Sequence, residues 1–250
     1  MNIPKNILQT WKNYDIPIQW KESPASLQKL MPDWKYHLLS DTDNREFVKS
    51  YFPDFLQYYD SFPYNIQRAD AIRYMWLYIN GGMYMDLDIV LTKSIEDLIQ
   101  DDKDIYFVKS AYHNDFYTNS IIISKPRHPF WLDVIEEMKK NISKIKSFTK
   151  HFHVLYSTGP NMLTGVIKNK YQVNNFGILP NKKFFPWDVC TSSYCSNLSD
   201  LDIYAYPLEG KTWNTFSSKF FNFFYCFWKP LIILLIMFLI VLAFLIQSYL

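Results

Sequence analysis

The sequence predicts an α/β fold. Short apolar runs alternate with longer helix-like segments through residues 3–214, the order expected of helices packed on a central sheet. One block constrains the geometry further. Residues 67–90 carry a helix-like run with Asp70 and Arg73 one turn apart, then Gly81-Gly82, then a short apolar strand ending in Asp86-Leu87-Asp88. Positions i and i+3 share a helix face, so Asp70 and Arg73 point the same way. The helix climbs about 15 Å from Asp70 to Asn80 and the strand returns about 10 Å, which sets Asp70 level with Asp86. The paired glycines permit the reversal between them.

Taken in order, strands are expected at 6–11, 35–39, 83–86, 105–109, 120–124 and 176–180. Helices are expected at 25–30, 43–51, 64–79, 129–141 and 162–170, with Asp43 as the N-cap of the second and Glu46 at its capping-box position. Only six glycines occur, and Gly81, Gly82, Gly159 and Gly210 all fall in candidate motifs. There is no internal repeat, P-loop or G-x-G-x-x-G. His151 and His153 would share one face of a strand, but no ligand-spaced partner points to a metal there. The lysines between 139 and 150 read as a solvated helix face.

The charge is nearly balanced, with 26 Lys and Arg against 24 Asp and Glu, which argues against nucleic acid as a partner. The chain divides into a domain at 1–215, an aromatic juxtamembrane segment at 216–229 and a transmembrane helix at 230–248. Residues 230–246 carry no charge, and the stretch is long enough for one span. Lys219 and Lys229 precede it and no basic residue follows, so the charge rule puts the domain in the cytosol, with a Golgi lumen as the alternative. Met1 to Lys5 starts no apolar signal segment. Cys190, Cys195 and Cys226 give no disulfide framework. Reduced thiols are expected, with Cys190 and Cys195 as the pair open to oxidation in a lumen and Cys226 as an acylation site. Asn141 and Asn197 head sequons that matter only in a lumen.

The D-x-D at a strand end carries the chemistry. Magnesium and manganese are hard cations that take carboxylate oxygens and keep water and phosphate as further ligands. Beside an Asp/Arg pair, such a site suits a divalent metal and a phosphorylated, polyhydroxylated ligand.

The block R-x-D-x-x-R-Y, apolar helix, G-G-x-Y-x-D-x-D resembles the DXD-type glycosyltransferases of family 32. That family includes the yeast outer-chain mannosyltransferase and the mannosyl-inositolphosphoceramide synthases. The glucosyltransferase domains of large clostridial toxins are similar at greater distance. Segments 3–12, 31–36, 119–130, 158–160 and 204–213 match further family motifs. The resemblance implies a GT-A-like nucleotide-sugar-binding fold. It implies retaining, metal-dependent transfer of a hexose, best mannose, from a nucleotide-diphosphate sugar such as GDP-mannose to a lipid head group or glycan. The cofactor is Mn2+ or Mg2+.

The implied roles fall on matching residues. Asp86, Asp88 and Asn119 are catalytic; Asp88 binds the metal and Asp86 bridges metal, ribose or sugar. Asp70 and Arg73 hold the sugar hydroxyls. Thr10 and Trp11 line the nucleotide end. Glu209, Thr212 and Trp213 close over the diphosphate, with Glu209 and Thr212 in the metal shell. Two positions depart: Leu8 and Pro207 stand where the family carries His. Two rival readings use the same residues. Asp86 to Val90 fits the D-x-D-x-V of haloacid-dehalogenase-type phosphatases, with Asp86 as nucleophile. An inactive membrane-anchored sugar-nucleotide binder is the other.

Overall fold

The computed structural model describes residues 3–99, 102–110, 115–144, 149–188, 190, 193–194, 202–208 and 216–249. The first half runs β1 (Asn6–Thr10), α1 (Glu22–Leu30), β2 (Lys35–Leu39), α2 (Asp41–Tyr51), α3 (Leu56–Ser61), α4 (Asn65–Asn80), β3 (Gly82–Met85) and β4 (Ile89–Leu91). Next come β5 (Ile105–Lys109), β6 (Tyr117–Ser124), α5 (Pro129–Lys144), α6 (Lys150–Ser157), α7 (Pro160–Lys170) and β7 (Gly177–Leu179). Short strands β8 (Trp187–Asp188), β9 (Ser193–Tyr194) and β10 (Ala205–Pro207) precede α8 (Phe216–Tyr249).

Six strands form one mixed sheet in the order β2-β1-β3-β6-β5-β7. β1 is parallel to β2 and β3, whereas β6 runs antiparallel to both β3 and β5. Strand alternation divides the apolar side chains between two layers. Leu8, Tyr84, Phe107 and Ile122 face one layer, packed with Ile72, Met75 and Leu77 of α4, Trp131 and Val134 of α5, and Leu163 of α7. Ile7, Met83, Met85, Tyr106, Val108, Ile121 and Ile123 face the other, packed with Leu27 of α1. Helix α4 is buried along most of its length, so it has no polar face to present.

The reversal between α4 and β3 is made by Gly81 at φ +62° and Gly82 at φ +92°. A Cβ on Gly82 would lie 2.3 Å from the Asn6 carbonyl oxygen, so β3 can pair with β1 at this point only through glycine.

Three expectations change. Ser40, not Asp43, caps α2: its hydroxyl accepts from the Asp43 N–H, and the Asp43 carboxylate accepts from the Ser40 N–H. Asp43 is thus the third helical residue of the box, and Glu46 lies outside it. His151 and His153 lie on α6, not on a strand, because Thr149 caps a helix there. Cys190 is bonded to Cys226, with Cα atoms 5.3 Å apart, which corrects the expectation of reduced thiols. The partners are 36 residues apart and meet through tertiary folding, which the spacing does not reveal. Cys195 lies outside the described residues.

The aromatic and apolar C-terminal segments are both helical, within α8. The Ser218–Trp228 and Pro230–Leu239 portions meet at 67°. Pro230 lacks the N–H of a regular helix turn, which accounts for the break. Among the described residues no single helix is long and apolar enough to cross a membrane, whereas this bent pair passes by length and composition taken together.

Candidate active site

β3 ends at Met85, and Asp86 follows directly. Its N–H donates to the Ser120 carbonyl of β6 at 2.8 Å. Its own carbonyl accepts from the Ile89 N–H and from Gln9 Nε2, each at 3.3 Å. The backbone is therefore clamped on three sides. The Tyr84 hydroxyl donates to Asp86 Oδ1 at 2.6 Å.

Arg73 reaches the same carboxylate from α4. Its Nη1 lies 3.3 Å from Asp86 Oδ1 and donates to the Asn119 carbonyl at 2.7 Å. Its Nη2 lies 3.1 Å from Asp70 Oδ1, and its Nε donates to the Ala69 carbonyl at 3.2 Å. The guanidinium sits over the Tyr84 ring at 4.5 Å. Asp70 accepts from Asn119 Nδ2 at 2.9 Å on Oδ1 and from Thr158 Oγ1 at 2.8 Å on Oδ2. Asn119 Nδ2 also donates to the Tyr74 hydroxyl, which donates to the Thr158 carbonyl. Asp70, Arg73 and Asn119 are buried; the Asp86 side chain keeps 31% of its surface open.

One network thus joins four motifs distant in sequence: the D-x-x-R helix, the D-x-D, the Asn119 strand and the Thr158-Gly159-Pro160 turn. Gln9, Tyr74, Tyr84 and Thr158 belong to it and were not among the sequence candidates. Thr158 lay in a recognised motif and could have been nominated. Tyr74 and Tyr84 stand within the R-x-D-x-x-R-Y and G-G-x-Y-x-D-x-D strings, which mark them as signals of the same kind.

The carboxyls are held above their usual range. Burial lifts Asp70 to about 6, opposed by the Arg73 charge and the Thr158 hydrogen bond. Burial, and then the Asp86 charge, push Asp88 up to about 7. Burial raises Asp86 as well, against Arg73 and Tyr84. Two close carboxyls with elevated proton affinity form a donor pair whose repulsion a divalent cation would relieve. Among the described residues no group of three or more His, Cys, Asp or Glu could hold a metal. A hard cation held between Asp86 and Asp88 would have to take its remaining ligands from phosphate and water.

Glu209, Thr212 and Trp213 lie outside the described residues. Leu208, which precedes Glu209 in the chain, donates its N–H to the Asp88 carbonyl at 2.7 Å. The pairing of β10 with β4 brings this segment there, with Pro207 opposite Ile89. Leu8 is fully buried in the core and offers no ligand.

Thr10 and Trp11 stand at the end of β1. Asn44 Nδ2 donates to Thr10 Oγ1 at 3.4 Å, and the Trp11 ring meets Trp20 edge-on at 4.8 Å. Trp11 Nε1 and Asn44 Oδ1 are buried without a hydrogen-bond partner. A cavity of about 550 Å³ is lined by Asp70, Arg73, Asp86 and Asn119 on one side, and Thr10 and Trp11 are not part of that lining.

Residues 17–105 match the family described as the glycosyltransferase sugar-binding region containing a DXD motif. Similarity to individual proteins extends further along the chain. Inositol phosphoceramide mannosyltransferase 3 of Schizosaccharomyces pombe is 39% identical over 165 residues, 65% of this chain and 44% of that protein. Mannosyl phosphorylinositol ceramide synthase SUR1 of Saccharomyces cerevisiae is 36% identical over 171 residues, 66% of this chain and 42% of that one. A glycosyltransferase of Acanthamoeba polyphaga mimivirus, L373, is 27% identical over 202 residues, 77% of each chain. The chain spans less than half the length of the two yeast proteins it matches. The fold is a GT-A-like one, mixed α/β with a central sheet. It is shared with the PaToxG glycosyltransferase, at TM-score 0.54 and 18% identity over 67% of this chain and 69% of that one. The UDP-bound glycosyltransferase domain of the YGT toxin gives TM-score 0.54 at 10% identity, over 71% and 79%. These findings give no support to the phosphatase reading or to the inactive binder.

Proposed function

We propose that this chain transfers a hexosyl group, mannosyl by the naming of its yeast relatives, from a nucleoside-diphosphate sugar to a hydroxyl of a lipid head group. GDP-mannose is the donor we favour. The observation that carries the reading is the Asp86–Arg73–Asp70–Asn119 network at the end of β3, on a fold shared with glycosyltransferases. The acceptor in the relatives' names, inositol phosphoceramide, suggests the lipid class.

Asp86 and Asp88 would hold manganese or magnesium, and that ion would neutralise charge on the departing diphosphate. The residues of the chain do the positioning. Asp70 keeps both oxygens aligned by Thr158, Asn119 and Arg73, so a sugar hydroxyl meets a carboxylate that does not reorganise. Asn119 lines the cavity beside it. The Arg73 nitrogens are engaged by Ala69, Asn119, Asp70 and Asp86, so Arg73 acts through those groups rather than by gripping the sugar itself. Thr10, Trp11, Glu209, Thr212 and Trp213 complete the proposed donor site.

We read α8 as the membrane element, its aromatic first part at the surface and its apolar second part in the bilayer. The Cys190–Cys226 bond supports an oxidising compartment for the domain. We take that over the cytosolic side favoured by the two lysines. Hydrolysis and transfer assays on the full chain with a panel of nucleotide sugars test the reading. Turnover of GDP-mannose is expected, and no turnover of any nucleotide sugar would refute it.

A further inference from the structure

The carboxylate network lines only part of the cavity. Residues of α6 and the start of α8 line another part. The Phe221 ring stacks over His151 at 5.9 Å and packs on Phe152 at 4.3 Å, and Ser218 Oγ lies 2.9 Å from His151 Nδ1. Asn222 and Tyr225, further along the same helix, join the lining. Phe220, Phe223, Phe224, Phe227 and Trp228 of the same helix are exposed, and Tyr225 is partly so. Past the 67° bend the helix enters the uncharged 230–246 stretch. An aromatic-rich helix followed at an angle by an apolar one has the form of an interfacial segment leading into a span.

The cavity wall and the bilayer-facing surface are therefore two sides of one helix, about 10–12 Å across. We propose that this wall, Phe221, Asn222 and Tyr225 with His151 and Phe152, is the acceptor subsite, and that it takes the polar head group of a lipid resident in the membrane on which α8 lies. The inference rests on the transferase reading above and adds the residues that select the acceptor. Aromatic rings pack on the C–H faces of a polyol, and Asn222, Tyr225 and His151 supply groups that bond its hydroxyls or a phosphate. A head group held there shares the cavity with Asp86 and Asn119, with the bilayer that holds its tails one helix width away.

Two measurements on the full chain separate the inference from the reading it rests on. The first is the affinity for GDP-mannose with manganese, in wild type, Tyr225→Ala and Asn222→Ala. The second is transfer to inositol phosphoceramide in phosphatidylcholine vesicles, compared with free inositol phosphate. Both variants should raise KM for the vesicle-borne lipid by about tenfold, as expected for loss of one close contact, and keep the donor affinity. Wild type should prefer the vesicle-borne lipid to the free head group. An unchanged KM in both variants, or equal use of the free head group, would overturn the inference and leave the transferase reading intact. Failure of wild type to bind any nucleotide sugar would overturn the reading, and the inference with it.

Discussion

Arg73 and Asp86 meet at 3.3 Å, and through that contact the end of β3 is tied to the middle of α4. The same guanidinium holds Asp70 at 3.1 Å, so one buried cation aligns two carboxylates from different elements. The pairing has an energetic consequence. Removing one partner of a buried ion pair leaves the other charge uncompensated, which costs about 3–5 kcal/mol.

Arg73→Ala should therefore lose about 3–5 kcal/mol in urea denaturation. Arg73→Lys keeps the charge without the planar fork, so it should retain more stability while losing turnover. Wild-type turnover by Arg73→Lys would show that the fork does not position the site.

Gly82 offers a backbone test. Alanine there meets φ +92° and a Cβ only 2.3 Å from the Asn6 carbonyl oxygen. The strained dihedral alone costs on the order of 1–3 kcal/mol, and the β1–β3 pairing must shift besides. Gly82→Ala should lower the denaturation midpoint clearly. A midpoint equal to wild type would contradict the described turn.

Asp88 predicts a pH dependence. Its carboxyl sits at about 7 in the fold against 3.8 ordinarily. Between those values the folded chain binds more protons than the unfolded chain, so without divalent ions this group's contribution to stability falls as pH rises through that window. Asp88→Asn removes the contribution. Relative to wild type, the variant should gain stability as pH rises from about 4 to about 7. Manganese should raise the wild-type midpoint at the higher pH and leave the variant nearly unmoved. A wild-type-minus-variant difference that is flat with pH would count against an elevated Asp88.

The cysteine pair reports on compartment. Peptide mapping of alkylated full chain from cells should find Cys190 and Cys226 protected until reduction. Both thiols labelling freely would restore the cytosolic placement suggested by Lys219 and Lys229.

Much of this was legible in the sequence because local pattern and tertiary role coincide. The strands Lys35–Leu39 and Ile105–Lys109 were read at their observed bounds, since their apolar runs end in clear breaks. The helix–Gly–Gly–strand block by itself implies the approach of Asp70 to Asp86. What was missed depends on distant contacts. Thr158 and Tyr74 stand in motifs, but their shared role shows only when the chain brings them to Asn119 and Asp70. α6 was not expected because its apolar residues, at 152 and 154–156, are too few to show a helical period. Cys226 finds Cys190 only once α8 packs against α6. β10 is three residues long and gains its meaning from β4, not from its own composition.

Donor turnover under controlled divalent ion tests the proposed chemistry most directly. The full chain is given GDP-mannose with chelator, then with manganese restored, beside Asp88→Asn at equal fold content. GDP release should vanish in chelator, return with manganese, and stay absent in the variant. Undiminished release in chelator, or wild-type release by Asp88→Asn, would contradict a metal-dependent transferase built on Asp86 and Asp88.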